Sequence, residues 1–247
     1  MRNLLILNPN TSASVTTLLQ RHARAAAGPE VAVRSVTARF GAPYIACEAS
    51  YAVAGHALLD AWAAATAGND APPDTVLIGC FGDPGLLALR ETSRAPVTGL
   101  AEASFIEAAR HGRFAVVTGG QRWQPMLKRL AHNLGFADAL AGIHTVAPTG
   151  AQLAADPAGA IELLAQTARE AARSTGASAV VIGGAGLAGL AVKLQALVDV
   201  PLIDSVAAGV RHALHASTPA HPGGSGRFDV VWQNLSPELA ARGLPAP

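Results

Sequence analysis

Cys80 sits in the run Gly79-Cys80-Phe81-Gly82-Asp83-Pro84-Gly85, directly after the apolar stretch Thr75 to Ile78. A strand, a glycine-rich turn and a helix in that order place such a residue at the carboxyl end of a parallel sheet, where ligand crevices form. The nearby helix N-terminus adds N–H donors and the positive end of a dipole. That setting is expected to lower the thiol pKa toward the range useful for proton transfer. The competing reading is a buried structural cysteine. A second candidate group is Asn8-Pro9-Asn10-Thr11-Ser12, between an apolar run and an amphipathic stretch. Its side chains either cap the helix or join its exposed N–H groups in a cradle for a carboxylate or carboxamide. Thr118-Gly119-Gly120 occupies the matching place later in the chain. Two such cradles would grip one small anionic or imide-like ligand.

Other chemistry is weakly supported. Gly184-Ala185-Gly186-Leu187-Ala188-Gly189 satisfies the dinucleotide-binding pattern G-x-G-x-x-G, with Asp204 downstream, but that pattern alone is unspecific. The eight histidines show no zinc spacing, and His212, His215 and His221 read as solvent-facing, so no metal site is expected. Cys47, after a glycine-containing loop, is either core or cleft lining, and its surroundings in sequence do not decide.

These residues need a scaffold, and the hydrophobic pattern supplies one. Strands are expected at Leu4 to Leu7, Val31 to Val36, Thr75 to Ile78, Phe114 to Val117 and Ala179 to Ile182. Helices are expected at Ser12 to Ala27, Tyr51 to Ala67, Pro125 to Leu134 and Ala158 to Thr175. Apolar runs without alternation, separated by helices, predict parallel sheets covered on both faces. The chain also repeats itself. Residues 76–86 read VLIGCFGDPGL and residues 180–190 read VVIGGAGLAGL. Both share a strand and Gly-x-x-Gly-x-x-Gly-Leu, followed by a helix and then proline with apolar residues, and Leu5 to Asn8 has a partner in Ala115 to Thr118. The simplest account is duplication. It predicts two pseudo-symmetric three-layer α/β domains with mainly parallel sheets and the active site in the cleft between them. The first domain would be residues 1–97 plus about 206–247, and the second 98–205. The tail from Ser217 to Gly226 reads as a loop, and the last ten residues as ragged.

Composition narrows the function classes. The chain has 247 residues, enough for a substantial core, and only 14% are charged. A net charge of +1 without a basic block argues against nucleic acid. Two cysteines make no disulfide framework, so a reducing cytoplasm is expected. The apolar run after Arg2 is too short for a signal peptide. The uncharged run between Arg173 and Lys193 suits a buried strand and turn better than a membrane span. The partner is then a small molecule, and homo-oligomerisation is the symmetry default.

LLILNPNTS at the start, GAPYI at 41–45, GCFGDPGLLALRE at 79–91 and PLIDSVAAGV at 201–210 resemble the hydantoin/allantoin racemase branch of the Asp/Glu racemase superfamily. The resemblance runs to about residue 215. It implies a cofactor-independent racemase or epimerase of amino-acid derivatives, with one thiolate removing a proton α to a carbonyl and a second thiol returning one from the far side. The first family cysteine maps onto Cys80. The binding loops map onto Asn8 to Ser12, the Tyr44-Ile45 segment and Thr118-Gly119, and the candidate binding residues are Asn8, Asn10, Ser12, Ile45, Phe81, Thr118, Gly119, Gly184 and Ala185. Two positions depart from the pattern: the second cysteine falls at Gly184, and the usual Thr-Thr pair reads Thr118-Gly119. The departure keeps open a one-cysteine decarboxylase of the arylmalonate type, a maleate-type cis–trans isomerase, and a binding protein that has lost its chemistry. No arginine stands in the matched loops, which argues against a dicarboxylate substrate.

Overall fold

The computed structural model describes residues 1–68, 71–148, 152–153, 156–215 and 225–245. Its first half runs β1 (Arg2–Asn8), α1 (Ala13–Ala27), β2 (Val31–Thr37), α2 (Glu48–Ala65), β3 (Thr75–Ile78), α3 (Leu86–Thr92), β4 (Val97–Gly99) and α4 (Leu100–Ala109). The second runs β5 (Phe114–Gly119), α5 (Trp123–Asn133), β6 (Leu140–Val146), α6 (Pro157–Thr175), β7 (Ala179–Gly183), α7 (Leu190–Leu194), β8 (Leu202–Asp204) and α8 (Ser205–His215). A short α9 (Pro237–Ala240) follows near the C-terminus.

Both sheets have four parallel strands, ordered β2-β1-β3-β4 and β6-β5-β7-β8. The second order repeats the first strand for strand. In register, Leu4 to Leu7 pair with Thr75 to Ile78, and Phe114 to Thr118 pair with Ala179 to Gly183. The fold is α/β, with two pseudo-symmetric sheets, as the repeat predicts. The central strands are buried on both faces, which is why their apolar runs do not alternate. The last helix of each half crosses over: α4 packs on β7 of the second sheet, and α8 packs on α1, β3 and β4 of the first. Phe105 of α4 stacks on Phe114 at 5.4 Å, so one continuous core runs beneath both sheets.

Several boundaries differ from expectation. Helix α2 begins at Glu48 rather than Tyr51, because the Ser50 hydroxyl accepts from the Cys47 and Ala46 N–H groups and starts the helix early. Helix α5 begins at Trp123, which places Pro125 in its first turn, where a missing N–H costs nothing. Edge strand β6 was not expected, since its partly exposed residues mix polar and apolar types. Up to residue 245 the C-terminal segment is packed rather than ragged. Ser236 caps α9, Leu239 is buried, and Glu238 pairs with Arg39 at 3.0 Å. The tail loop, with His221, falls largely on residues 216–224, outside the described residues.

Candidate active site

The loops leaving β1, β3, β5 and β7 meet over one cleft. Asn10, Ile45, Cys80, Phe81, Thr118, Gly119, Gly184 and Ala185 line a single cavity of about 50 Å³ there. Two sequence candidates stand behind it. Asn8 is fully buried, and its amide nitrogen donates to Asn10 Oδ1 (2.9 Å), the Ser12 carbonyl (3.2 Å) and Thr16 Oγ1 (3.0 Å). Ser12 is the N-cap of α1 and accepts from the Val15 N–H. Both shape the loop that carries Asn10. Asn10 spends its carbonyl oxygen on Asn8 and the Ser12 N–H (2.9 Å), which leaves its amide nitrogen as the donor end for a ligand carbonyl.

Val15, Tyr44, Trp123 and Leu187 also line the cavity. Tyr44 lies in the quoted GAPYI segment. The others carry no sequence signal beyond being apolar, and only the packing of the two halves brings them in. The cleft is tight where the halves touch. A Cβ on Gly183 would fall 2.3 Å from the Phe81 ring, and one on Gly82 would fall 2.4 Å from the Trp123 ring. The Tyr44 hydroxyl reaches across from the first half and donates to the Gly119 carbonyl at 3.2 Å.

Cys80 is 7% exposed. Contrary to the sequence expectation, its thiol is raised well above the ordinary range. Burial is the main cause, and the Asp83 carboxyl beside it adds to the effect. The helix start that was to lower it lies further along, at Leu86. Asp83 is itself buried and adopts left-handed φ of 51°. Its carboxyl accepts from the Ala101 N–H (3.0 Å) and the Glu102 N–H (2.8 Å) at the start of α4. Burial nevertheless pushes it up to about 7. Across the cavity, Gly184 holds φ of 146°, a conformation that disfavours any side chain, and its N–H donates to Ser205 Oγ at 3.2 Å.

Cys47 is not among the lining residues; it is the N-cap of α2. The Ser50 hydroxyl, hydrogen-bonded to it, holds its thiol below the usual value. The G-x-G-x-x-G stretch opens a helix of only five residues, and its Gly189 N–H is taken by Asp204 Oδ2 at 2.6 Å. The position where a pyrophosphate would dock is therefore already filled by a carboxylate. Among the described residues, no three His, Cys, Asp or Glu side chains gather as a metal site, and no helix is long and apolar enough to cross a membrane.

Residues 4–213 match the family model described as Asp/Glu/Hydantoin racemase. A hydantoin racemase of Pseudomonas sp. (strain NS671) is 32% identical over 84% of this chain and 83% of its own length. A hydantoin racemase of Paenarthrobacter aurescens is 33% identical over 85% of this chain and 89% of its own. Among solved structures, an allantoin racemase from Klebsiella pneumoniae superposes with a TM-score of 0.84 at 32% identity. That match covers 94% of this chain and 96% of the other.

Proposed function

This chain belongs to the Asp/Glu/hydantoin racemase family and is a racemase of that family, and on that premise we propose that it inverts the α-carbon of a small hydantoin- or allantoin-like imide without a cofactor, using Cys80 on one face and Tyr44 on the other. The observation that carries this reading is the composition of the cleft. Cys80 and Tyr44 are the two ionisable side chains among its described lining residues, and Gly184 stands where a second thiol would be. Asn10 and Thr118 supply polar groups for ring carbonyls, which stabilise the enolate as the α-proton leaves.

The proton balance is simple. One group takes the α-proton as thiolate or phenolate, and the other gives its own proton to the opposite face. The pair must therefore hold one proton between them. Burial keeps the Cys80 thiol protonated, so the active fraction is small at neutrality and grows as pH rises. Turnover from either enantiomer should climb roughly tenfold per pH unit through neutrality, because a single deprotonation limits it.

The same protonated thiol, with Gly184 opposite, favours a second reading. A one-sided enzyme would remove carbon dioxide from a malonate-type acid and let Cys80 protonate the resulting enediolate. That reaction needs the thiol as it already stands, so its rate should stay flat through neutral pH. Proton NMR in D2O separates the two. Each enantiomer of 5-substituted hydantoins and allantoin, and a panel of aryl- and alkylmalonates, would be incubated with wild type and Cys80→Ala. Loss of the α-proton signal with inversion, rising with pH, is expected. Carbon dioxide release from a malonate at a pH-independent rate would replace the racemase reading with the second.

A further inference from the structure

A second cavity, of about 300 Å³, lies at the opposite end of the first sheet. Pro72 and Pro73, which lead into β3, and Ser93 to Ala95, which lead into β4, form one wall. The cleft with Cys80 lies beyond the other ends of the same strands. Ser225, Gly226, Arg227 and Arg242, from a segment past residue 213, where the family match stops, form another wall. The cavity is thus built from family scaffold and from chain outside the match.

Its charge is one-sided. Arg34, Arg94, Arg227 and Arg242 line it, and no aspartate or glutamate does among the described residues. The hydrogen-bond partners of the Arg94 and Arg242 guanidinium groups are neutral. Arg94 Nε donates to the Ser225 carbonyl at 3.1 Å. Arg242 donates to the Thr66 carbonyl (2.8 Å), Thr66 Oγ1 (2.7 Å) and the Gly226 carbonyl (3.3 Å), and lies 4.9 Å over the Trp62 ring. Carbonyl and hydroxyl oxygens orient a guanidinium but do not neutralise it. The groups also converge. A Cβ on Gly226 would lie 3.4 Å from Arg94 Nε and 3.8 Å from Arg242 Nη1, so both cations reach one point. Gly226 holds φ of 75° there. Burial lowers the Arg242 pKa first, and the fields of Arg94 and Arg227 lower it further.

From this geometry we propose that the cavity binds the phosphate monoester of a small organic molecule, separately from catalysis in the cleft. Guanidinium forks match a phosphoryl dianion in charge and geometry. A cavity of this volume holds an organic moiety beside it, with the Pro72-Pro73 wall to pack on.

Calorimetric titration of the full chain with glucose 6-phosphate, at constant ionic strength, tests this. Saturable one-to-one binding is expected, with none for glucose and weaker binding for inorganic phosphate. The doubly substituted Arg94→Ala, Arg227→Ala protein should bind at least about tenfold more weakly, since a hydrogen bond to a charged group contributes about 1.5–3 kcal/mol. Both side chains are exposed, so the variant should fold, which circular dichroism checks. Cys80→Ala should bind as wild type does, so this result is independent of the racemase reading. Failure to saturate, unchanged affinity in the double variant, or inorganic phosphate binding as tightly as the sugar phosphate would overturn the proposal.

Discussion

The Cys80 loop and the Gly184 loop are the same turn in two copies, and they differ at the position that carries a thiol in one and no side chain in the other. Each closes with an i to i+3 bond: the Asp83 N–H donates to the Cys80 carbonyl at 3.1 Å, and the Leu187 N–H to the Gly184 carbonyl at 2.9 Å. Each ends on a left-handed glycine that caps the next helix, Gly85 at φ 78° and Gly189 at φ 81°. Each loop is tied to the helix that begins after the half's last strand by a buried carboxylate, supplied from opposite sides. In the first half Asp83 leaves the loop to reach the Ala101 and Glu102 N–H groups. In the second, Asp204 stays at the strand end, holds the Val206 and Ala207 N–H groups and reaches back to the Gly189 N–H. Space explains the switch. Gly99, the counterpart of Asp204, leaves the room Asp83 needs, and a Cβ on it would fall within 2.1 Å of the Asp83 carboxyl carbon. Only the first loop keeps an ordinary backbone at its reactive position. Duplicated scaffolds can therefore preserve a turn and its capping glycine while one copy gives up its side chain.

Cys80→Ala should break the asymmetry most severely, lowering turnover by roughly a thousandfold while the far-ultraviolet spectrum stays unchanged. Retained activity would mean that the first loop is as silent as the second. Tyr44→Phe comes next, with about a hundredfold loss of inversion. Exchange of the α-proton for deuterium without inversion should outlast inversion in this variant. If inversion and exchange fall together, Tyr44 only positions the ligand.

Gly184→Cys restores the missing thiol but places a side chain at φ of 146° and 3.3 Å from Leu187 Cγ. It should destabilise the fold by about 1–3 kcal/mol in urea titration. Unchanged stability would show that the second loop relaxes to the conformation of the first. A further effect is in pH. The Asp83 carboxyl is raised from 3.8 to about 7. Its stabilising contribution is full below 3.8 and is lost as pH rises through about 7. Asp83→Asn should flatten that part of the stability–pH curve. An equally steep curve in the variant would assign the slope to another group.

Much of the architecture was legible because it rests on local pattern. Buried central strands read as unbroken apolar runs, Ser12 as a cap, and the repeat as two equivalent sheets. The mixed pattern of β6 and the C-terminal helix held by Arg39 and Glu238 were not legible, since partners distant in the chain stabilise them. In the site, the loop residues were found but their roles were not separable. Asn8 and Asn10 are both asparagines near a strand end, yet one is consumed by internal hydrogen bonds and the other lines the cavity.

The sequence by itself determined the family, the duplicated α/β plan and the single thiol at the paired positions, because these follow from residue identity and spacing. Tertiary structure decided the rest. It reversed the expected direction of the Cys80 pKa, since desolvation depends on what covers a group and not on its neighbours in sequence. It brought Tyr44 of one half to Gly119 of the other, and it made Cys47, which the sequence left open, a helix cap. It also gathered Arg94, Arg227 and Arg242 from separated segments, a convergence of charge that no local pattern encodes.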